Sequence, residues 1–68
     1  MPTLRVEMFA GRTVEQKRAL ARELTDATVR ALGVPPSAVE VIFHDVERHD
    51  WAVAGTLRSD PPAQPGSD

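Results

Sequence analysis

The chain has no cysteine, which excludes disulfide staples, a thiolate nucleophile and thiolate metal ligands. No apolar run approaches the roughly 20 residues of a membrane span, and no basic start followed by an apolar core marks a secretory leader. An excess of one charge is missing too. Eight basic and ten acidic residues give a formal net charge of -2, which argues against the broad basic surface of a nucleic-acid-binding protein. The sequence therefore predicts a cytoplasmic protein with neither membrane nor nucleic acid as partner. Length is also scarce. The 68 residues make one domain, and a domain this small leaves much of its apolar surface uncovered. Self-association is the usual remedy when disulfides are absent.

What is present begins with alternation. From Thr3 to Met8, Leu4, Val6 and Met8 share one parity and Thr3, Arg5 and Glu7 the other, the period of a half-buried strand. Phe9-Ala10-Gly11-Arg12 ends that strand at a glycine. Thr13-Val14-Glu15-Gln16 then fits a capping box, in which the threonine hydroxyl and the glutamine side chain satisfy two helix N–H groups reciprocally. The helix is expected to run to about Leu32, with Leu20, Leu24, Ala27 and Ala31 in one stripe facing the sheet, flanked by Ala21 and Thr28. Arg22, Asp26 and Arg30 follow at i,i+4 spacing on a solvated face. Val29 lies opposite the stripe and reads as a subunit contact. Gly33 suits the left-handed residue after a helix, and Pro35-Pro36 prevents continuation.

Val39 to Val46 is rich in β-branched and aromatic residues and apolar on both parities through its middle, which reads as a second strand. Strand, helix and strand of these lengths make an α/β fold (α+β in some schemes): a single βαβ unit with parallel strands and a right-handed crossover. After the polar turn Glu47-Arg48-His49-Asp50, the segment Trp51-Ala52-Val53-Ala54-Gly55 is expected to form a short C-terminal hairpin or an arm reaching a neighbour. Two strands and one helix do not enclose a core, so the fold is expected to be completed by homo-oligomerisation. The domain is expected to span residues 1–60 and the proline-dense stretch 61–68 to be a disordered tail.

Pro2 is the residue with the most distinctive chemistry. An internal proline nitrogen is a tertiary amide without basicity. Removal of Met1 turns it into a free secondary amine, rigidly oriented at a strand start. Free α-amino groups titrate near pH 7.7–8.0, and burial or a nearby cation lowers that value toward the range of a general base at neutral pH. His44, Asp45 and His49 are not read as a metal site: alternation sends His44 and Asp45 to opposite strand faces, and His49 falls in a turn.

Pro2 at a strand start, Gly11-Arg12-Thr13 followed by Glu15-Gln16-Lys17, and Trp51-Ala52-Val53-Ala54-Gly55 together resemble the 4-oxalocrotonate tautomerase family over residues 2 to 60. The resemblance implies βαβ subunits that dimerise and assemble into hexamers, a trimer of dimers. It implies a keto–enol tautomerase of 2-hydroxy-dienoate or enolpyruvate-type acids such as 2-hydroxymuconate or phenylenolpyruvate, in aromatic catabolism, with no metal and no cofactor. By the same resemblance Pro2 is the general acid/base, Arg12 binds a substrate carboxylate or polarises the carbonyl, and Trp51 is the active-site aromatic. A planar guanidinium suits a bidentate carboxylate contact. A pocket of this kind draws residues from more than one subunit.

One departure stands on the second strand. Where many family members have an arginine, this chain has Glu40. An acid cannot grip a second carboxylate, so a dicarboxylate binds poorly unless Arg48, Arg58 or Arg5 of some subunit takes over. Two other readings stay open: a hydratase, dehalogenase or decarboxylase of small unsaturated acids using Pro2 with Glu40, and a non-catalytic oligomeric binding module that retains Met1.

Overall fold

A computed structural model describes residues 1–61; from residue 62 on, the expected tail lies outside the described residues. Strand β1 (Thr3–Phe9) leads to helix α1 (Val14–Leu32), a 3₁₀ turn at Pro36–Ala38 and strand β2 (Glu40–Val46). A second 3₁₀ turn at Arg48–Asp50 leads to the short strands β3 (Ala52–Val53) and β4 (Thr56–Leu57). β1 and β2 are parallel, with Thr3 opposite Glu40 and Phe9 opposite Val46 at the two ends, and β3 pairs antiparallel with β4. This is the βαβ unit with a C-terminal hairpin that the sequence pattern predicts.

Local chemistry explains each boundary. The Gln16 N–H donates to Thr13 Oγ1 at 3.0 Å and the Thr13 N–H donates to Gln16 Oε1 at 2.9 Å, so the capping box is complete. At the other end Gly33 takes φ 69° and its N–H closes on the Val29 carbonyl at 2.9 Å, a left-handed cap that residues with a Cβ adopt only under strain. In the hairpin, Ala54 and Gly55 both have positive φ, 53° and 81°, as a two-residue turn matched to the strand twist requires. Ala54 holds that conformation at a cost of roughly 1 kcal/mol.

The alternation of β1 is realised: Leu4, Val6 and Met8 are half-buried while Thr3, Arg5 and Glu7 are exposed. Register sets Leu4 beside Val41, Val6 beside Phe43 and Met8 beside Asp45. On that same parity Asp45 meets the helix through Lys17, Nζ to Oδ2 at 2.7 Å, which is how a carboxylate is accommodated on the apolar side of β2.

The helix differs from the expected stripe. Leu20, Ala21, Leu24 and Thr28 are half-buried, but Ala27 and Ala31 are exposed. The half-buried face is rotated from the expected stripe, running from Leu20 and Leu24 through Thr28 and Ala21 to Thr25 and Val29, so Ala27 and Ala31 fall at its margin and border an open groove. Val29, expected to face away, is half-buried, on a helix that lies against the Pro36–Ala38 turn.

Among the described residues none is fully buried. β1 and β2 pair only with each other among the described residues, so each has an open edge. Ile42, Val14, Leu32, Val53 and Leu57 stand exposed. The protomer is a layer in search of a second layer.

Folding and association are consequently linked. The melting temperature is expected to rise with protomer concentration in a thermal scan. At fixed concentration Thr13→Ala, which removes the capping hydroxyl, lowers stability by about 1 kcal/mol in urea unfolding.

Candidate active site

β1 acts as a ruler between two groups of side chains. Pro2 stands at its start, where the Pro2 carbonyl accepts the Glu40 N–H at 2.9 Å and ties the strand to the head of β2. Pro2 borders a groove of about 470 Å³ whose other walls include Leu4, Leu24, Ala27, Ala31 and Leu32. Apart from the Thr3 and Thr28 hydroxyls this lining is apolar. Glu40 lies at the same end: it is opposite Thr3 in register, and the Thr3 hydroxyl donates to Glu40 Oε1 at 3.5 Å.

Arg12 lies past the other end. Gly11, at φ 116°, turns the chain out of β1 in a conformation closed to residues with a Cβ, and Arg12 follows immediately before the helix cap. It borders one cavity of about 260 Å³ with Met8, Gln16, Lys17 and Leu20. It also borders a second of about 240 Å³ with Phe9, Ala10, Gly11 and Arg48. Phe9 joins this second cavity to Trp51, the two rings lying 4.7 Å apart at 55°, a tilted aromatic pair. On the Phe9 ring rests the Arg48 guanidinium, with its carbon 4.1 Å from the centroid.

The four residues singled out from sequence thus fall into two groups. Pro2 and Glu40 are together at one end; Arg12 and Trp51 are together at the other, linked through Phe9. Seven strand residues at about 3.3 Å each hold the groups roughly 20 Å apart. Within one protomer Pro2 and Arg12 do not meet, so a site containing both takes them from different copies.

Three contacts escaped the sequence reading: Phe9 against Trp51, Arg48 on Phe9, and Lys17 with Asp45. A signal for the first two was available. Arg48 and Trp51 are three residues apart across a 3₁₀ turn, closed by the Trp51 N–H on the Arg48 carbonyl at 3.4 Å, and side chains three apart in such a turn eclipse. Among the other arginines considered as substitutes, Arg5 lies exposed on the sheet face away from the helix, and the Arg58 N–H bonds the Trp51 carbonyl at 2.7 Å.

The chain as a whole has counterparts among known proteins. Residues 2–60 match the family model described as tautomerase enzyme. A probable tautomerase of Streptococcus pneumoniae is 48% identical over 59 residues, 87% of this chain and 98% of the relative. The 2-hydroxymuconate tautomerase of Comamonas testosteroni is 42% identical over 55 residues, 81% of this chain and 87% of the relative. Among solved structures, a heterohexamer 4-oxalocrotonate tautomerase from Chloroflexus aurantiacus superposes with a TM-score of 0.83 at 38% identity, covering 88% of this chain and 97% of that one.

The Phe9 contact gives a direct check of the arginine end. Phe9→Leu removes both the ring pair and the cation's seat, a loss of about 1 kcal/mol. Because Trp51 is the only tryptophan, its emission is expected to shift to longer wavelength in that variant.

Proposed function

The chain belongs to the tautomerase enzyme family, and from that premise we propose that it is a cofactor-independent keto–enol tautomerase of 2-hydroxy-dienoate or enolpyruvate-type acids. The proposed acid/base is the Pro2 nitrogen after Met1 is removed. The observation that carries the reading is the division of chemistry along β1. A proline borders an apolar groove at one end, and a guanidinium outside any ion pair among the described residues stands beside an aromatic pair at the other.

In this mechanism Arg12 grips the carboxylate next to the enol and draws negative charge toward the developing carbonyl oxygen. The neutral Pro2 amine takes the enol O–H proton, the double bonds shift along the chain, and the resulting ammonium returns that proton to a distant carbon. One O–H bond breaks and one C–H bond forms, with no change in oxidation level. The groove wall and the nearby guanidinium both disfavour the protonated amine before substrate arrives. Trp51 shields the conjugated chain from water.

The roughly 20 Å between Pro2 and Arg12 in one copy supports a site completed by self-association. We read the assembly as a homohexamer built as a trimer of dimers; the Chloroflexus aurantiacus neighbour is itself a heterohexamer. A 2-hydroxymuconate-type substrate is favoured by the relative that bears that activity in its name. Among the described residues no helix is long and apolar enough to cross a membrane, in keeping with the proposed cytoplasmic setting.

Glu40 at the Pro2 end favours a second reading, in which its carboxylate orients water for hydration or dehalogenation of an unsaturated acid. Product analysis separates the two, because a tautomerase adds no water and releases neither halide nor carbon dioxide.

The decisive assay follows ketonisation of 2-hydroxymuconate and phenylenolpyruvate by ultraviolet absorbance, on protein whose intact mass shows that Met1 is absent. Pro2→Ala is expected to lower kcat by about 100-fold or more, the scale of a lost general base. Equal turnover by both proteins, or a mass that retains Met1 in active enzyme, contradicts the reading.

A further inference from the structure

Two guanidiniums border the same small cavity. Arg12 and Arg48 both line the open recess of about 240 Å³ that Phe9, Ala10 and Gly11 also border. Both side chains are exposed, so solvent screens their mutual repulsion, while an anion placed between them is attracted by both. Here neither is neutralised internally: the ion pairs among the described residues are Lys17 with Asp45 and His49 with Asp50. On its far side Arg48 borders a separate cavity with Arg58 and Asp60, again without an ion pair to that carboxylate. Glu40, the acid on β2, is at the opposite end of the strand pair and cannot compensate either cation.

Arg48 is also held in place. Its guanidinium lies 4.1 Å from the Phe9 centroid, and Phe9 is in turn fixed against Trp51 at 4.7 Å. A stacked guanidinium keeps its edge N–H groups free for in-plane bonds while its face is occupied by the ring. Being seated beforehand, it loses less conformational freedom when a ligand binds. A pair of unneutralised guanidiniums, one beside a helix start and one on an aromatic seat, matches a ligand with two negative charges.

We propose that Arg48 binds the second carboxylate of a dicarboxylate substrate, the one remote from the enol, while Arg12 holds the first. The proposal rests on the tautomerase reading for which carboxylate is which, but it concerns binding alone and makes the site selective for conjugated diacids over their monoacid counterparts. Cation and aromatic platform come from one protomer, so this selectivity is set before another copy contributes Pro2.

The test is equilibrium binding, read by the fluorescence of Trp51, with two unreactive probes: muconate, a conjugated dienedioate, and sorbate, the same chain with methyl in place of one carboxylate. The assembled wild-type protein is expected to bind muconate about tenfold or more tighter than sorbate, the worth of one hydrogen bond between charged groups. Arg48→Gln is expected to bring the two affinities within about twofold, and Arg48→Lys, which keeps the charge without the fork, to keep part of the preference. A wild-type protein that binds both probes equally, or binds neither, overturns the proposal. So does an Arg48→Gln protein of unchanged elution volume that still prefers muconate. None of these outcomes depends on turnover, so loss of the diacid preference and failure of the Pro2→Ala assay are separate results.

Discussion

The constraint on which everything else depends is that two strands under one helix bury none of the described residues completely. A fold that cannot shield its own apolar atoms from water has little to set against the chain entropy lost on folding. Self-association supplies the missing shielding, and it does so with identical surfaces, so every contact made by one copy is repeated by the others. The open edges of β1 and β2 are the same deficit expressed in hydrogen bonds rather than area.

The same layer fixes where chemistry is found. β1 is too long for Pro2 and Arg12 to share a pocket within one chain, yet both sit at open ends where the helix and sheet leave gaps. Apolar groove, Pro2 and Glu40 lie at one end; guanidiniums and aromatic rings lie at the other. On the proposed reading the contact between copies that stabilises the protein also joins these ends. A chain that is not assembled is then both unstable and inactive, and no separate machinery is needed to couple the two.

Much of the scaffold was legible because its determinants are local. Alternation in Thr3–Met8, the reciprocal cap of Thr13 and Gln16, Gly33 after the helix and the small turn at Ala54-Gly55 each depend on residues a few positions apart. The parallel pairing followed from the lengths of the elements between the strands. Ala27 and Ala31 lie outside the covered face because apolarity alone sets the stripe's phase in a sequence and favours alanine over threonine, whereas the half-buried side of the helix runs through Thr25, Thr28 and Val29. Lys17 with Asp45 was hidden for a related reason: a charged residue on an apolar parity looks like a break in pattern until its partner from another element is known. Of the candidate site, Pro2, Arg12, Trp51 and Glu40 could be named individually, since each is chemically distinctive. Their division into two groups could not, because it depends on the strand's length and direction. Phe9, which sequence marks only as the end of a strand, seats Arg48 and joins Trp51 to the cavity of Arg12.

The central claim is that each working site takes its amine from one copy and its guanidinium from another. Mixing tests this most directly: Pro2→Ala and Arg12→Ala chains are denatured together in equal amounts, refolded, and assayed against each variant refolded alone. The account predicts recovery of about a quarter of wild-type activity in the mixture, since random assembly reunites an intact Pro2 with an intact Arg12 in that share of sites. A mixture no more active than its separate components contradicts it, because a site built within one chain is never restored by a partner.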